Sequence, residues 1–427
     1  MKPAVKQSLL VFLIFVCSPA LVAQEAPPAP GDAALTLERA VSLALERNER
    51  AAIADTTVEA AEARVSRARS AFFPRVDVTG NWRNEYANQT DRTLSTAALL
   101  TQPVFDARAF PLFRQARFAR EAARFGAGES KRLLGFDAAA VFLTTLSFEQ
   151  VLLAAERRRD FAQTNLDDVR ARFEAGLVSS NDVTRAELEL ATAVRGVAQA
   201  AGNVQASRVE LENLLKAEVD GPLAPPTALL DAAAAPPAPD VPAAQQRRGD
   251  IAAERAEVES LRAFADEPRA RFLPSVNFAA QTRNINDGPI TSRDNDAFFA
   301  FTFNWPVLDA GLRRADRLER EALVRGAELG LEASLRDVER QMQSAAVQLR
   351  TEQAALREAT AAVRAARKNT EETSILYREG LASALELADA TQRLFEAEVA
   401  EATATYRMAL AYLSLREASG VPAVGER

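Results

Sequence analysis

The chain has 427 residues, a formal net charge of −7 and a pI near 5.2, with no His and a single Cys. That composition excludes His-based acid–base catalysis, zinc and thiol redox centres and a disulfide framework. An acidic chain without a dense basic patch also excludes a nucleic-acid partner, whose phosphates require basic neutralisation.

In chain order, Lys2 and Lys6 precede the apolar run 8–16, and small residues then lead to Ala23-Gln24. These are the charged, apolar and small-residue parts of a secretory signal over 1–23, with an apolar run shorter than the roughly 20 residues of a spanning helix. Cleavage after Ala23 leaves no Cys in the mature chain. Cleavage before Cys17 would instead acylate that residue, although Val16 is bulkier than the small residue such a cut favours.

The two halves of the remaining chain align at an offset of about 200 residues. SAFFPRVDVTG at 70–80 matches ARFLPSVNFAA at 270–280, QPVFD at 102–106 matches WPVLD at 305–309, and FEAGLVS at 173–179 matches YREGLAS at 377–383. The spacing predicts a first repeat over 24–219 and a second over 246–427, joined by a Pro/Ala-rich stretch at 220–245 that suits an extended connector. Each repeat opens with a helix, about 37–70 and 251–270, ended by the approach of Pro74 or Pro274. Two strands follow, near 75–85 and 95–105 in the first repeat and near 275–284 and 296–308 in the second. Pro-free stretches of about 110 residues then predict long helical hairpins reversing near 176–182 and 380–386. Leu331, Leu335, Val338, Met342, Ala345, Leu349, Leu356, Ala359, Val363 and Ala366 keep the alternating four and three steps of a coiled-coil seam. A helix of some 65 residues there would be about 100 Å long, the dimension of a tube or rod.

The strands separate two kinds of surface. Val76, Val78 and Trp82 alternate with Arg75, Asp77, Thr79 and Asn81; Val276 and Phe278 alternate with Ser275 and Asn277; Phe299, Phe301, Phe303 and Trp305 alternate with Ala300, Thr302 and Asn304. In an exported chain this suits membrane strands of about 10 residues, apolar toward lipid and polar toward a lumen. Open sheet edges are not tolerated in lipid, so four strands per chain require several copies to pool them. The opposing reading is a coiled-coil envelope spacer without a pore, to which such strand faces give no role.

The duplicated helix-Pro-strand junctions at Pro74 and Pro274, the PVFD and PVLDAG segments, and the two Gly-Leu turns followed by Asp182-Val183 and by ELADA at 386–390 resemble the outer-membrane efflux family of TolC-like channels over nearly the whole mature chain. Arg248-Gly249-Asp250 also resembles the Arg-Pro-Asp segment that opens that family's second repeat. The resemblance implies a homotrimer with a 12-stranded outer-membrane β-barrel and a long periplasmic α-barrel. It implies a passive conduit of a tripartite efflux or type I secretion system that meets a periplasmic adaptor and an inner-membrane transporter, without a cofactor or an enzymatic step. It further implies that Gly176, Leu177, Ser179, Asp182, Gly380, Leu381 and Ser383 form adaptor-facing tips. Glu386 and Asp389 would match the acidic pair that narrows the periplasmic mouth. Where the family's prototype has an Arg two residues after the turn glycine this chain has Ala382, which leaves Arg185 or Arg378 to take that part.

Overall fold

The computed structural model describes residues 34–84, 92–287 and 293–425. The expected signal segment and Cys17 lie outside the described residues. Four long helices dominate: α3 (Ala109–Glu174) with α4 (Ser180–Leu215), and α9 (Leu312–Arg378) with α10 (Ala384–Ala418). Each pair is an antiparallel hairpin, and α9, at 67 residues, runs for about 100 Å. The expected seam lies along α9, with Val338, Met342, Leu349 and Val363 buried and its remaining positions partly buried.

The first short helices differ from expectation in one respect. The helix foreseen over 37–70 is two, α1 (Leu37–Arg47) and α2 (Glu49–Ser70), parted at Asn48. Asn48 is extended (φ −75°, ψ 136°); its Oδ1 accepts from Arg50 N at 2.9 Å and its Nδ2 donates to Leu214 O at 2.9 Å. The side chain thus starts one helix and ties it to the end of α4. The helix foreseen over 251–270 is likewise interrupted, as α7 (Gly249–Ala265) and α8 (Glu267–Ala270). Pro268 cannot donate to Phe264 O; Arg320 takes up that carbonyl at 2.9 Å, pairs with Glu267 at 2.7 Å and lies 3.7 Å over the Phe264 ring.

The connecting stretch is not extended throughout. It holds α5 (Thr227–Ala234) and the start of α6 (Val241–Arg247). The Ala- and Leu-rich α5 packs on the core, with Ala233 fully buried and its carbonyl accepting from Gln353 Nε2 at 2.8 Å. Residues 35 and 223 form a parallel bridge that holds the start of the described chain against this stretch.

The largest core cluster forms midway along α3 and at the end of α4, where α1 packs on them: Leu37, Val41, Phe142, Leu143, Leu146, Leu211 and Leu215 are essentially inaccessible. Part of α3 is apolar enough to pass for a membrane-crossing helix by composition, but its Leu134, Phe142, Leu143 and Leu146 are spent on this core. Within it, Thr145 and Ser207 satisfy each other at 2.6 Å.

Strands β1 (Arg75–Asn84), β2 (Arg92–Phe105), β3 (Ser275–Asp287) and β4 (Arg293–Asn304) make one antiparallel sheet in the order β1-β2-β3-β4. A bulge at Val104 shifts the β2–β3 register. β4 ends before Trp305-Pro306, since Pro has no N–H for the ladder, so Trp305 and Val307 lie just past the strand expected to contain them.

Candidate functional site

The sheet register brings together residues that alternation assigned strand by strand. Val76 pairs with Leu100 and Val78 with Ala98; Leu100 pairs with Ala280; Val276, Phe278 and Ala280 pair with Phe303, Phe301 and Phe299. Paired residues share a face, so Val76, Val78, Trp82, Val276, Phe278, Phe299, Phe301 and Phe303 all lie on one side of the sheet. The Phe278 and Phe301 rings meet at 5.2 Å. Val78 and Phe299 are about three-quarters exposed in the single chain, far more than a water-facing sheet tolerates for such side chains. The opposite side carries Arg75, Asp77, Thr79, Asn277, Gln281, Arg283, Asp296 and Thr302. Among the described residues, the outer edges of β1 and β4 have no partner strand.

The sheet joins the helices through matched contacts in the two halves of the chain. Gln102 Nε2 donates to Phe72 O at 3.2 Å, and Trp305 Nε1 donates to Phe272 O at 3.0 Å. In the second repeat Arg313, almost fully buried, pairs with Asp309 at 2.6 Å, donates to Arg271 O and stacks 4.1 Å over Phe272. These bonds fix the angle at which strand leaves helix.

At the far end of the hairpins the two turns have the same construction. Gly176 (φ 74°) and Gly380 (φ 75°) adopt the left-handed conformation that lets Leu177 N return to Arg172 O and Leu381 N to Leu376 O, each at 2.8 Å. Ser179 N then donates to the Asp182 carboxylate at 3.1 Å and Ser383 N to the Glu386 carboxylate at 2.6 Å, opening α4 and α10 with reciprocal caps. Leu177 and Leu381 project into solvent, both about three-quarters exposed.

Compared with family models, the sequence matches "Outer membrane efflux protein" over residues 40–216 and 241–421. The chain belongs to the outer membrane efflux protein family. Among solved structures, its fold is similar to that of CusC (18% identity, 91% of this chain and 93% of that one, TM-score 0.79). It is also similar to the Campylobacter jejuni CmeC outer membrane channel (16%, 90% and 85%, TM-score 0.74) and to VceC of Vibrio cholerae (15%, 90% and 96%, TM-score 0.75). Compared with curated proteins, the sequence finds no match. As a member of this family the chain is the outer-membrane channel component of a TolC-like tripartite export system, its helices extending into the periplasm.

Within this family member, the structure gives the acidic pair two different surroundings. Glu386 is the third residue of α10, and the backbone N–H of Ser383, aided by the Ser383 hydroxyl, holds its carboxyl below the ordinary range. Asp389, one turn on, is more than half exposed and pairs with Arg393 at 2.8 Å. Glu386 therefore has a local structural task that Asp389 lacks. The Ser-x-x-Asp and Ser-x-x-Glu spacing at 179–182 and 383–386 is the sequence signal for it.

Sequence reasoning also passed over Arg172 in favour of Arg185 and Arg378. Arg172, in the last turn of α3, donates to Tyr377 O at 3.3 Å and to Arg378 O at 3.2 Å, and its guanidinium lies 5.4 Å from the Tyr377 ring. A cation on the last carbonyls of a helix is favoured by the helix dipole, and here the cation comes from the other hairpin. Beneath it Leu166, Val169, Ala186, Tyr377 and Leu387 form a small core joining both tips. The buried Tyr377 hydroxyl has no hydrogen-bond partner among the described residues, and burial pushes its pKa up. Among the described residues no group of three or more His, Cys, Asp or Glu side chains is arranged to hold a metal ion.

Proposed function

We propose that three copies of the chain join their sheets, β4 of each against β1 of the next, into one 12-stranded barrel in the outer membrane, above an α-barrel built from the four long helices. The resulting trimer is the passive exit duct of the export system, and its specificity is set by the inner-membrane transporter it joins. The observation that carries this reading is the partition of all four strands into an apolar and a polar face, combined with open edges on β1 and β4. Lipid does not tolerate unpaired strand edges, and closing the sheet on further copies removes them.

On this reading Val76, Val78, Trp82, Val276, Phe278, Phe299, Phe301, Phe303 and Trp305 face lipid. The exposed leucines of the Gly176 and Gly380 turns, with Ser179, Asp182 and Ser383 setting the turn shape, meet the periplasmic adaptor. Glu386 and Asp389 supply carboxylate rings near the periplasmic mouth, Glu386 held by the neutral cap of α10 and Asp389 paired with Arg393. The mature chain begins at residue 24, and 24–219 and 246–427 are structural repeats joined by 220–245. Ion conductance by the purified protein in a planar bilayer tests the duct: discrete channel steps are expected, whereas a protein that assembles in the bilayer but carries no current is the spacer without a pore.

A further inference from the structure

In both layers of helices α9 stands at one flank. Toward the sheet the helices pack side by side in the order α2-α3-α7-α9, and toward the tips in the order α4-α3-α10-α9. The chain runs from α2 directly into β1 and from β4 directly into α9, so the open flanks of the helices continue the open edges of the sheet.

The flank of α9 is apolar where nothing in this chain covers it. Leu318, Leu329 and Val347 are each more than half exposed. Their spacings of 11 and 18 residues are three and five turns, which set them on one line along the helix. Val338, two and a half turns from both Leu329 and Val347 and therefore on the opposite side, is buried in a cluster with Ile251 and Met342. Gly326 lies one turn before Leu329, and a Cβ there would meet no atom of this chain. Glycine in mid-helix costs stability and suits the close approach of another backbone. The other flank is made mostly of small side chains. Ala52 and Ala63, 11 residues apart on the exposed side of α2, lie opposite its buried Ala61 and Ala54, while Ala198, Gly202 and Val209 are exposed on α4.

Lipid does not account for the apolar line. Leu329 and Val347 lie about 25 and 50 Å along α9 from its first residue, Leu312, outside a bilayer that the sheet spans. We propose that the flank of α9 packs on the next copy of this chain, first on α2 and then, past the break at Asn48, on α4, with Leu318, Leu329 and Val347 set among the small residues of that wall. The proposal rests on the barrel reading and adds to it a seam on the water side of the membrane. Continuity names the occupant: the neighbour that offers β1 to β4 also offers α2 to α9. The copies are thereby held together outside the bilayer as well as within it, by burial of side chains that a single chain leaves in water.

The test uses cysteine pairs in the full chain, which has no Cys after residue 17. Within one copy other helices separate α2 and α4 from α9, so a bridge from either to α9 joins two copies. Leu329→Cys with Ala63→Cys, and Val347→Cys with Val209→Cys, are treated in outer membranes with a flexible bis-maleimide. Covalent dimers and trimers on a denaturing gel are expected from each pair, and only the single-chain band from each cysteine alone. Native mass spectrometry of the same variants before treatment reads the assembly. Three-chain assemblies that give no ladder from either pair overturn the seam and leave the barrel standing. A ladder from Leu329→Cys or Val347→Cys alone puts that residue near the three-fold axis and also overturns the seam. A single-chain mass in the parent protein overturns the barrel and the seam with it.

Discussion

The backbone N–H of Ser383 donates to the Glu386 carboxylate at 2.6 Å, and the backbone N–H of Glu386 donates to the Ser383 hydroxyl at 3.3 Å. This reciprocal cap decides where α10 begins, immediately beside the residues expected to line the periplasmic mouth. Ser383→Ala removes one half of it at a cost of about 1 kcal/mol. It should let the Glu386 carboxyl rise toward the ordinary range, with lower amide-exchange protection over 384–388. Because the folded value is depressed, the contribution of the carboxylate is fully present above the ordinary Glu value of about 4.3 and is lost as pH falls through the folded value. Protection of the first turn of α10 should therefore fall only in that acid window in the parent protein. Protection that stays unchanged as the pH is lowered below the ordinary Glu range, for as long as the protein remains folded, would show that the cap does not depend on charge.

The different surroundings of the two acidic residues separate their roles in conduction. Glu386→Gln is expected to weaken the cation preference of the channel, read as a reversal potential in a salt gradient, more than Asp389→Asn does, because Arg393 at 2.8 Å already offsets the Asp389 charge. Rings of carboxylates in a narrow aqueous mouth attract cations and hold multivalent ones, and the Glu386 carboxylate keeps its charge because its partners at the helix start are neutral. A neutral double variant that keeps the parent's selectivity and its block by multivalent cations would place the selective ring elsewhere.

Arg172 ties the tip of one hairpin to the last carbonyls of the other. Arg172→Ala removes two charge-assisted bonds and a ring contact, a local loss of about 1 to 3 kcal/mol. Exchange should quicken at both tips, over 166–190 and 370–390, with trimer formation retained. Conductance should rise as the tips separate more readily. Quickened exchange confined to α3 and α4 would mean that Arg172 does not couple the hairpins.

The face assignment of the sheet predicts an asymmetry between neighbours. Phe301→Arg puts a cation on the apolar side at a cost of roughly 2 to 4 kcal/mol per copy near the bilayer midplane and should sharply reduce the folded protein recovered from outer membranes. Thr302→Arg, one residue on and on the polar side, should be recovered at close to parental yield. Equal losses at the two positions would contradict the assignment.

Strand alternation and the internal sequence match were legible because both are local properties. Alternation at Phe299, Phe301 and Phe303 needs only the chain itself, and FFP at 72–74 against FLP at 272–274 needs only comparison within it. The alignment of Leu99, Gln281 and Phe298 across the polar side of the sheet was not legible, since it exists only through the pairing of β2, β3 and β4. The break at Asn48 was hidden by continuous Ala- and Glu-rich pattern on both sides; it is fixed by a bond to Leu214 O, 166 residues away. Arg172 was passed over for a similar reason: its partners, Tyr377 O and Arg378 O, come from the other repeat. The resemblance noted on short motifs proved to be family membership, while its acidic pair concealed a capping box that the Ser-x-x-Glu spacing could have revealed.

The mass of the mature protein, measured intact in detergent by native mass spectrometry, tests the central claim most directly. The open edges of β1 and β4 and the apolar face between them require further copies of the sheet, and the account predicts an assembly of three chains. A stable, folded species containing one chain would contradict it.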